Sequence, residues 1–142
     1  MLEVKDIETS YGTSQVLFGM SFSVNEGEVV SLLGRNGMGK TTTIRSLMGM
    51  VPTSAGSITF EGAELRSLKD YQIAKLGLGL VPEGRQIFPN LMVRENLIAT
   101  ADNRTGTDSP WEVEQIVEMF PNLGDRMDNM GNQLSGGEQQ ML

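Results

Sequence analysis

The sequence predicts an α/β fold, and three observations lead to it. Short apolar runs alternate with helix-patterned stretches in the order strand, helix, strand, helix, strand. One of those runs, EVVSLLG at 28–34, has little alternation, as in a strand covered on both faces of a parallel sheet. A glycine-rich octapeptide follows it directly and opens a helix. With 142 residues, the chain has the length of one ordinary domain.

Taken in order, LEVKDI reads as a strand, and VLFGMSFSV alternates over a second one closed by Asn25, Glu26 and Gly27. The two form an expected antiparallel edge region. After 28–34, residues 40–48 carry helical spacing, with Ile44, Leu47 and Met48 on one face and Gly49 and Pro52 as stops. Residues 56–60 read as a short strand. Ser67 and Asp70 resemble a capping box opening a helix to Lys75, and LGLGLV at 76–81 reads as another apolar strand ended by Pro82.

From Glu83 onward the pattern turns helical, at 93–101 and 111–120, with the polar loop DNRTGTDSP between. Ser135 and Glu138 form a second capping-box pattern. Only eight residues remain from Ser135 to Leu142 and no C-cap follows, so the chain is expected to be cut within a helix. The division expected is a β-rich part at 1–82 and a helical part at 83–142.

Composition excludes several chemistries. With no cysteine and no histidine there is no thiolate metal site, imidazole base or imidazole ligand. A net charge of −7 disfavours nonspecific binding to nucleic acid or anionic lipid. The apolar runs fall far short of the ~20 residues needed to cross a bilayer, and the first residues lack a signal-peptide pattern. A cytoplasmic chain without membrane insertion is expected.

A local anion site is nevertheless written into 34–41. Gly34, Arg35, Asn36, Gly37, Met38, Gly39, Lys40 and Thr41 fit G-x-x-x-x-G-K-[ST] between a strand and a helix. The three glycines let successive backbone N–H groups converge on a phosphate. Lys40 supplies a cation for the β and γ phosphates, the Thr41 hydroxyl suits Mg²⁺, and the helix N-terminus adds partial positive charge. The plainer reading, a glycine-rich turn with a solvated lysine, leaves the flanking strand and helix unexplained.

Together with LSGGEQQ at 134–140 and the upstream Tyr11, this motif makes the chain resemble the nucleotide-binding subunits of ABC transporters. LLGRNGMGKTTTIRSLMG and VPEGRQIFP are most similar to the ATP-binding subunits of branched-chain amino-acid importers, with urea importers as near relatives. The resemblance covers the whole chain. It implies a truncated ABC nucleotide-binding domain of P-loop NTPase fold, with ATP and Mg²⁺ as cofactors. Two such subunits sandwich two ATP molecules, each held by the phosphate loop of one and the signature motif of the other, and drive membrane permease subunits. The location implied is peripheral, at the inner face of the cell membrane.

Carried over residue by residue, the resemblance implies that Tyr11 stacks on adenine with Val16 beside it, and that the loop from Gly34 to Thr41 holds the phosphates. Thr42 contacts the α phosphate, while Ser135, Gly136 and Gly137 meet the γ phosphate of the opposite subunit. Thr41 and Glu83 are the metal candidates. Each also has a plainer reading: a strand-end aromatic, a first-turn threonine, a helix cap or a solvated loop carboxylate.

The chain departs from the family pattern at several points. Glu83 stands where glutamine is usual, a substitution typical of the branched-chain group, and reads as a metal or coupling residue. Met92 stands where relatives often have Thr or Ser, removing an N-cap bond worth ~1 kcal/mol. The methionines, among them Met119, Met127 and Met130, read as core fillers. No apolar strand ending in Asp-Glu follows the signature, and no switch histidine is present, so the chain holds no catalytic residue. By itself it is expected to show negligible ATPase activity and, lacking neighbouring strands, to be unstable. Alternatives are a hydrolysis-dead nucleotide-binding fragment, the ATPase of a urea or amide importer, or a soluble relative acting on DNA or ribosomes. The negative charge and VPEGR argue against the last.

Overall fold

The alternation near the N-terminus becomes a hairpin in the computed structural model, which describes residues 1–103 and 106–142. Strand β1 (Leu2–Tyr11) and β2 (Ser14–Val24) pair antiparallel from Leu2 opposite Val24 to Tyr11 opposite Ser14. Strand β3 (Thr53–Phe60) pairs with the other edge of β1, and the two-residue β4 (Ala63–Glu64) follows it. The sheet order is β2-β1-β3-β4, antiparallel throughout. Helix α1 (Lys40–Leu47) lies between β2 and β3 in the chain, and α2 (Asp70–Lys75) follows the sheet.

A bulge sets which residues of β1 face inward. Val4 and Ile7 are both buried although strict alternation would put them on opposite faces. The register shifts between them, and Asp6 takes a left-handed φ of 46°. Ser21 holds the bulge, its Oγ accepting the Asp6 N–H at 2.8 Å and donating to Asp6 Oδ1 at 2.9 Å. Val4, Ile7, Leu17 and Ile58 then pack with Leu47 of α1, Leu65 and Ile73 of α2 into one core. Polar contacts also tie α1 to the sheet: Ser46 Oγ lies 3.0 Å from Thr9 Oγ1, and Thr43 Oγ1 lies 3.2 Å from Met20 Sδ.

The chain forms two compact units, Met1–Gly79 and Leu80–Leu142. The second contains α3 (Val93–Ala99), α4 (Val113–Met119), α5 (Pro121–Gly124), a 3₁₀ turn (Gly131–Gln133) and α6 (Gly136–Met141). Its core is Val93, Leu123 and Leu134, flanked by Leu97, Phe120, Met127 and Leu142. Part of the predicted loop 102–110, Arg104 and Thr105, lies outside the described residues.

Two predicted strands are not strands in the structure. Residues 28–34 and 76–81 form no ladder, and Val29 is 93% and Leu33 87% exposed. Apolar character marks a run that can be covered, but a strand forms only when neighbours take its N–H and C=O groups. Neither run has such a neighbour among the described residues. Leu78 alone of its run packs on the first core.

The helix starts show a common device. The N-cap N–H donates to a Glu or Gln side chain three residues on at Lys69–Gln72, Met92–Glu95, Glu112–Gln115, Met130–Gln133 and Ser135–Glu138, at 2.7 to 2.9 Å. The helix read from Ser67 therefore starts two residues later, because a turn closed by Leu68 N–H to Leu65 O occupies that position. At Met92 the side-chain cap bond is absent, as the residue type implies, while Glu95 keeps the reciprocal half. Of the methionines read as core fillers, Met127 packs on the second core, whereas Met119 and Met130 are exposed. Both lie on surface positions where no apolar gap needs filling.

Candidate functional site

In the first unit the loop from Gly34 to Lys40 is built on two left-handed glycines. Gly37 and Gly39 have φ of 83° and 86°, conformations that side-chain-bearing residues adopt only with strain. Met38 N–H bonds Arg35 O at 3.3 Å and closes the turn. Gly39 is the N-cap of α1, and its carbonyl accepts both the N–H and the hydroxyl of Thr43, at 2.8 and 2.9 Å. A Cβ on Gly39 would lie 2.8 Å from Leu17 Cδ2 and 3.4 Å from Val16 Cγ1. The loop thus ends against β2, with Val16 beside its last glycine. Tyr11, half exposed, ends β1 at the hairpin turn.

Lys40 is held within the loop. Its Nζ donates to Gly34 O at 2.6 Å and to Arg35 O at 2.9 Å. Arg35, Asn36 and Met38 are exposed, as is Thr41; Thr42 and Thr43 are buried.

The charge around α1 suits an anion. Helices α2, α3, α4 and α6 each carry a carboxylate in the first turn: Asp70, Glu95, Glu114 and Glu138. The first turn of α1 has none, and Gly39 gives no side-chain cap. The N–H groups at that end point along the positive end of the helix dipole, with no acidic residue in the turn itself. With Lys40 Nζ donating to two neutral carbonyls, these groups fit a polyphosphate. The donor set for Mg²⁺ is thinner. Thr41 belongs to the first unit and Glu83, on an exposed turn, to the second, and the described residues hold no cluster of three acidic side chains.

In the second unit Ser135 caps α6. Its N–H donates to Glu138 Oε2 at 2.7 Å and its Oγ accepts the Glu138 N–H at 3.4 Å. Hydrogen bonding to the Ser135 side chain, then to its N–H, and the nearby Arg126 hold the Glu138 carboxyl below the usual range. Gly137 is open, whereas a Cβ on Gly136 would lie 2.7 Å from Arg85 Nη2. The Arg85 guanidinium therefore rests on the signature turn, and its Nη1 donates to Gln139 Oε1 at 3.1 Å.

The structure thus gathers Val16 and 34–42 in one unit, and Ser135, Gly136 and Gly137 with Arg85 in the other. Sequence reasoning missed Arg85, Gln139 and Asn96. The buried Asn96 amide donates to the carbonyls of Phe88, Leu91 and Met92 and accepts the Phe88 N–H at 2.8 Å, fixing the segment before α3. An asparagine inside the otherwise apolar and charged helix VRENLIA was the available signal.

Comparison with known proteins agrees with this geometry. The family model for ABC transporters matches residues 17–142. The chain is 39% identical, over its whole length, to the high-affinity branched-chain amino acid transport ATP-binding protein BraG of Pseudomonas aeruginosa, covering 61% of that protein. It is 35% identical to the lipopolysaccharide export system ATP-binding protein LptB of Haemophilus influenzae, covering 60% of it. The solved structure of an ATP-binding subunit of an ABC transporter matches 99% of this chain and 58% of that one, at 28% identity and a TM-score of 0.80. The chain therefore spans about three fifths of the length of these relatives. The glycine loop, the capped signature turn and these matches together mean that the chain belongs to the ABC transporter family, with the ABC ATPase fold.

Proposed function

We propose that the full-length protein bearing this chain is the ATP-hydrolysing subunit of an importer for branched-chain amino acids. The observation that carries the nucleotide part is the acid-free start of α1, with two left-handed glycines and Lys40 turned onto the loop carbonyls. Likeness to BraG over the whole chain supports the cargo.

In this reading the 34–39 amides and Lys40 bind the triphosphate, Tyr11 and Val16 flank the base, and Thr42 meets the α phosphate. Lys40 gives up neutral carbonyls for an anion, an exchange that favours charge-assisted bonds. Mg²⁺, when bound, neutralises charge on the phosphates, and Thr41 and Glu83 are the residues that would hold it. Ser135, Gly136 and Gly137 of one subunit face the phosphates of another, and permease subunits keep the pair at the inner face of the cell membrane. No described helix is long and apolar enough to cross a membrane itself. The 142-residue chain alone holds no general base in this scheme and is proposed to hydrolyse ATP negligibly.

The likeness to LptB favours a second reading, in which the same motor serves another cargo. Reconstitution of the full-length protein with permease subunits of a branched-chain amino-acid importer, in vesicles loaded with ATP, separates them. ATP-dependent uptake of leucine, isoleucine or valine supports the first; uptake of urea or amides, or no uptake of any of these, overturns its cargo.

A further inference from the structure

Arg85 is held in an unusual way. Gly84, Arg85 and Gln86 have successive φ of 80°, 69° and 49°, and the Gln86 N–H bonds Gly84 O at 2.8 Å. Two consecutive non-glycine residues in the left-handed region carry strain, which persists only where surrounding contacts demand it. The contacts here are with the signature turn. The guanidinium lies where a Gly136 side chain would be, and Nη1 donates to Gln139 Oε1.

Gln139 is fixed from the other side as well, its Nε2 donating to Gly131 O at 3.0 Å. Gly131 sits against the backbone of Phe88 and Pro89, and Asn132 N–H bonds Pro89 O at 3.0 Å. One carboxamide therefore joins the strained 84–86 loop to the turn before α6. A cation beside a helix N-terminus opposes the dipole, so helix stability does not account for its place. Arg126, paired with Glu138 at 3.6 Å, is the counter-example: its charge is answered by a carboxylate, whereas the Arg85 guanidinium donates to a neutral amide.

We propose that Arg85 is a positioning residue for the signature turn: through Gln139 and its seat on Gly136 it sets the attitude of Ser135–Gly136–Gly137 toward the partner subunit's nucleotide. The inference rests on the functional reading above. A side chain at 136 would have to move the guanidinium from this seat.

The test uses the full-length subunit, first unaltered, then as Arg85→Ala, Arg85→Met, Arg85→Lys, Gln139→Ala and the double alanine variant. Each is measured for MgATP binding by the monomer, ATP-dependent dimerisation, and the split of ATPase kcat from KM. Arg85→Ala and Arg85→Met should weaken the dimer about tenfold, near the effect of losing one charge-assisted hydrogen bond, and lower kcat while leaving monomer MgATP binding unchanged. Arg85→Lys should recover most of the loss, and the double variant should be no worse than either single one. A dimer of ordinary strength in Arg85→Ala, or losses that multiply in the double variant, would overturn the proposal. Failure of the unaltered subunit to bind MgATP or dimerise overturns the functional reading itself, and is seen before any variant is made.

Discussion

Gly39 and Leu17 meet where the glycine loop enters α1: the leucine Cδ2 stands 2.8 Å from where a Cβ on Gly39 would be, and Gly39 itself has a φ of 86°. Position 39 therefore serves the core and the loop at once. Gly39→Ala has to strain the backbone and shift the Leu17 methyl that packs against it. It should cost about 1–3 kcal/mol, measured by urea denaturation, and weaken MgATP binding in the same sample. Loss of stability without loss of nucleotide affinity would separate the two roles and count against the loop.

Asn96 holds Phe88 through two hydrogen bonds, N–H to Oδ1 and Nδ2 to carbonyl. Asn96→Ala strands buried partners and should cost about 1–3 kcal/mol, with faster hydrogen exchange at the Phe88 amide. Asn96→Asp loses the donors that serve Phe88, Leu91 and Met92 and should be no milder. An unchanged exchange rate at Phe88 would show that the amide does not order this segment.

Glu138 has its carboxyl pKa lowered by Ser135 and then Arg126. A group depressed on folding adds stability above its unfolded pKa, and that contribution fades as pH falls through the lower folded value. The thermal midpoint should drop on the acid side of the ordinary glutamate range, and Glu138→Gln should flatten that part of the profile. A variant profile parallel to the wild type would mean that the cap carries no pH-linked stability.

The parts legible in the sequence were those decided by neighbours along the chain. Alternation located the β1–β2 hairpin, and G-x-x-x-x-G-K-T located both the loop and the start of α1. Ser135 with Glu138 gave a cap with both reciprocal bonds. What depends on distant partners was not legible. Residues 28–34 have strand composition, yet composition cannot supply the strands that would pair with them. Arg85 and Gln139 are 54 residues apart and meet only because the 3₁₀ turn packs under the 84–89 segment. The bulge at Asp6, which turns Ile7 inward, likewise depends on Ser21 across the hairpin.

In the proposed function Lys40 and the glycine amides before it grip a triphosphate. Calorimetric titration of MgATP into the full-length protein and its Lys40→Ala variant tests it most directly. Replacement removes a charge-assisted contact, so affinity should fall by at least about tenfold, with the fold retained. Equal affinity in the two proteins would mean that Lys40 does not hold the phosphates.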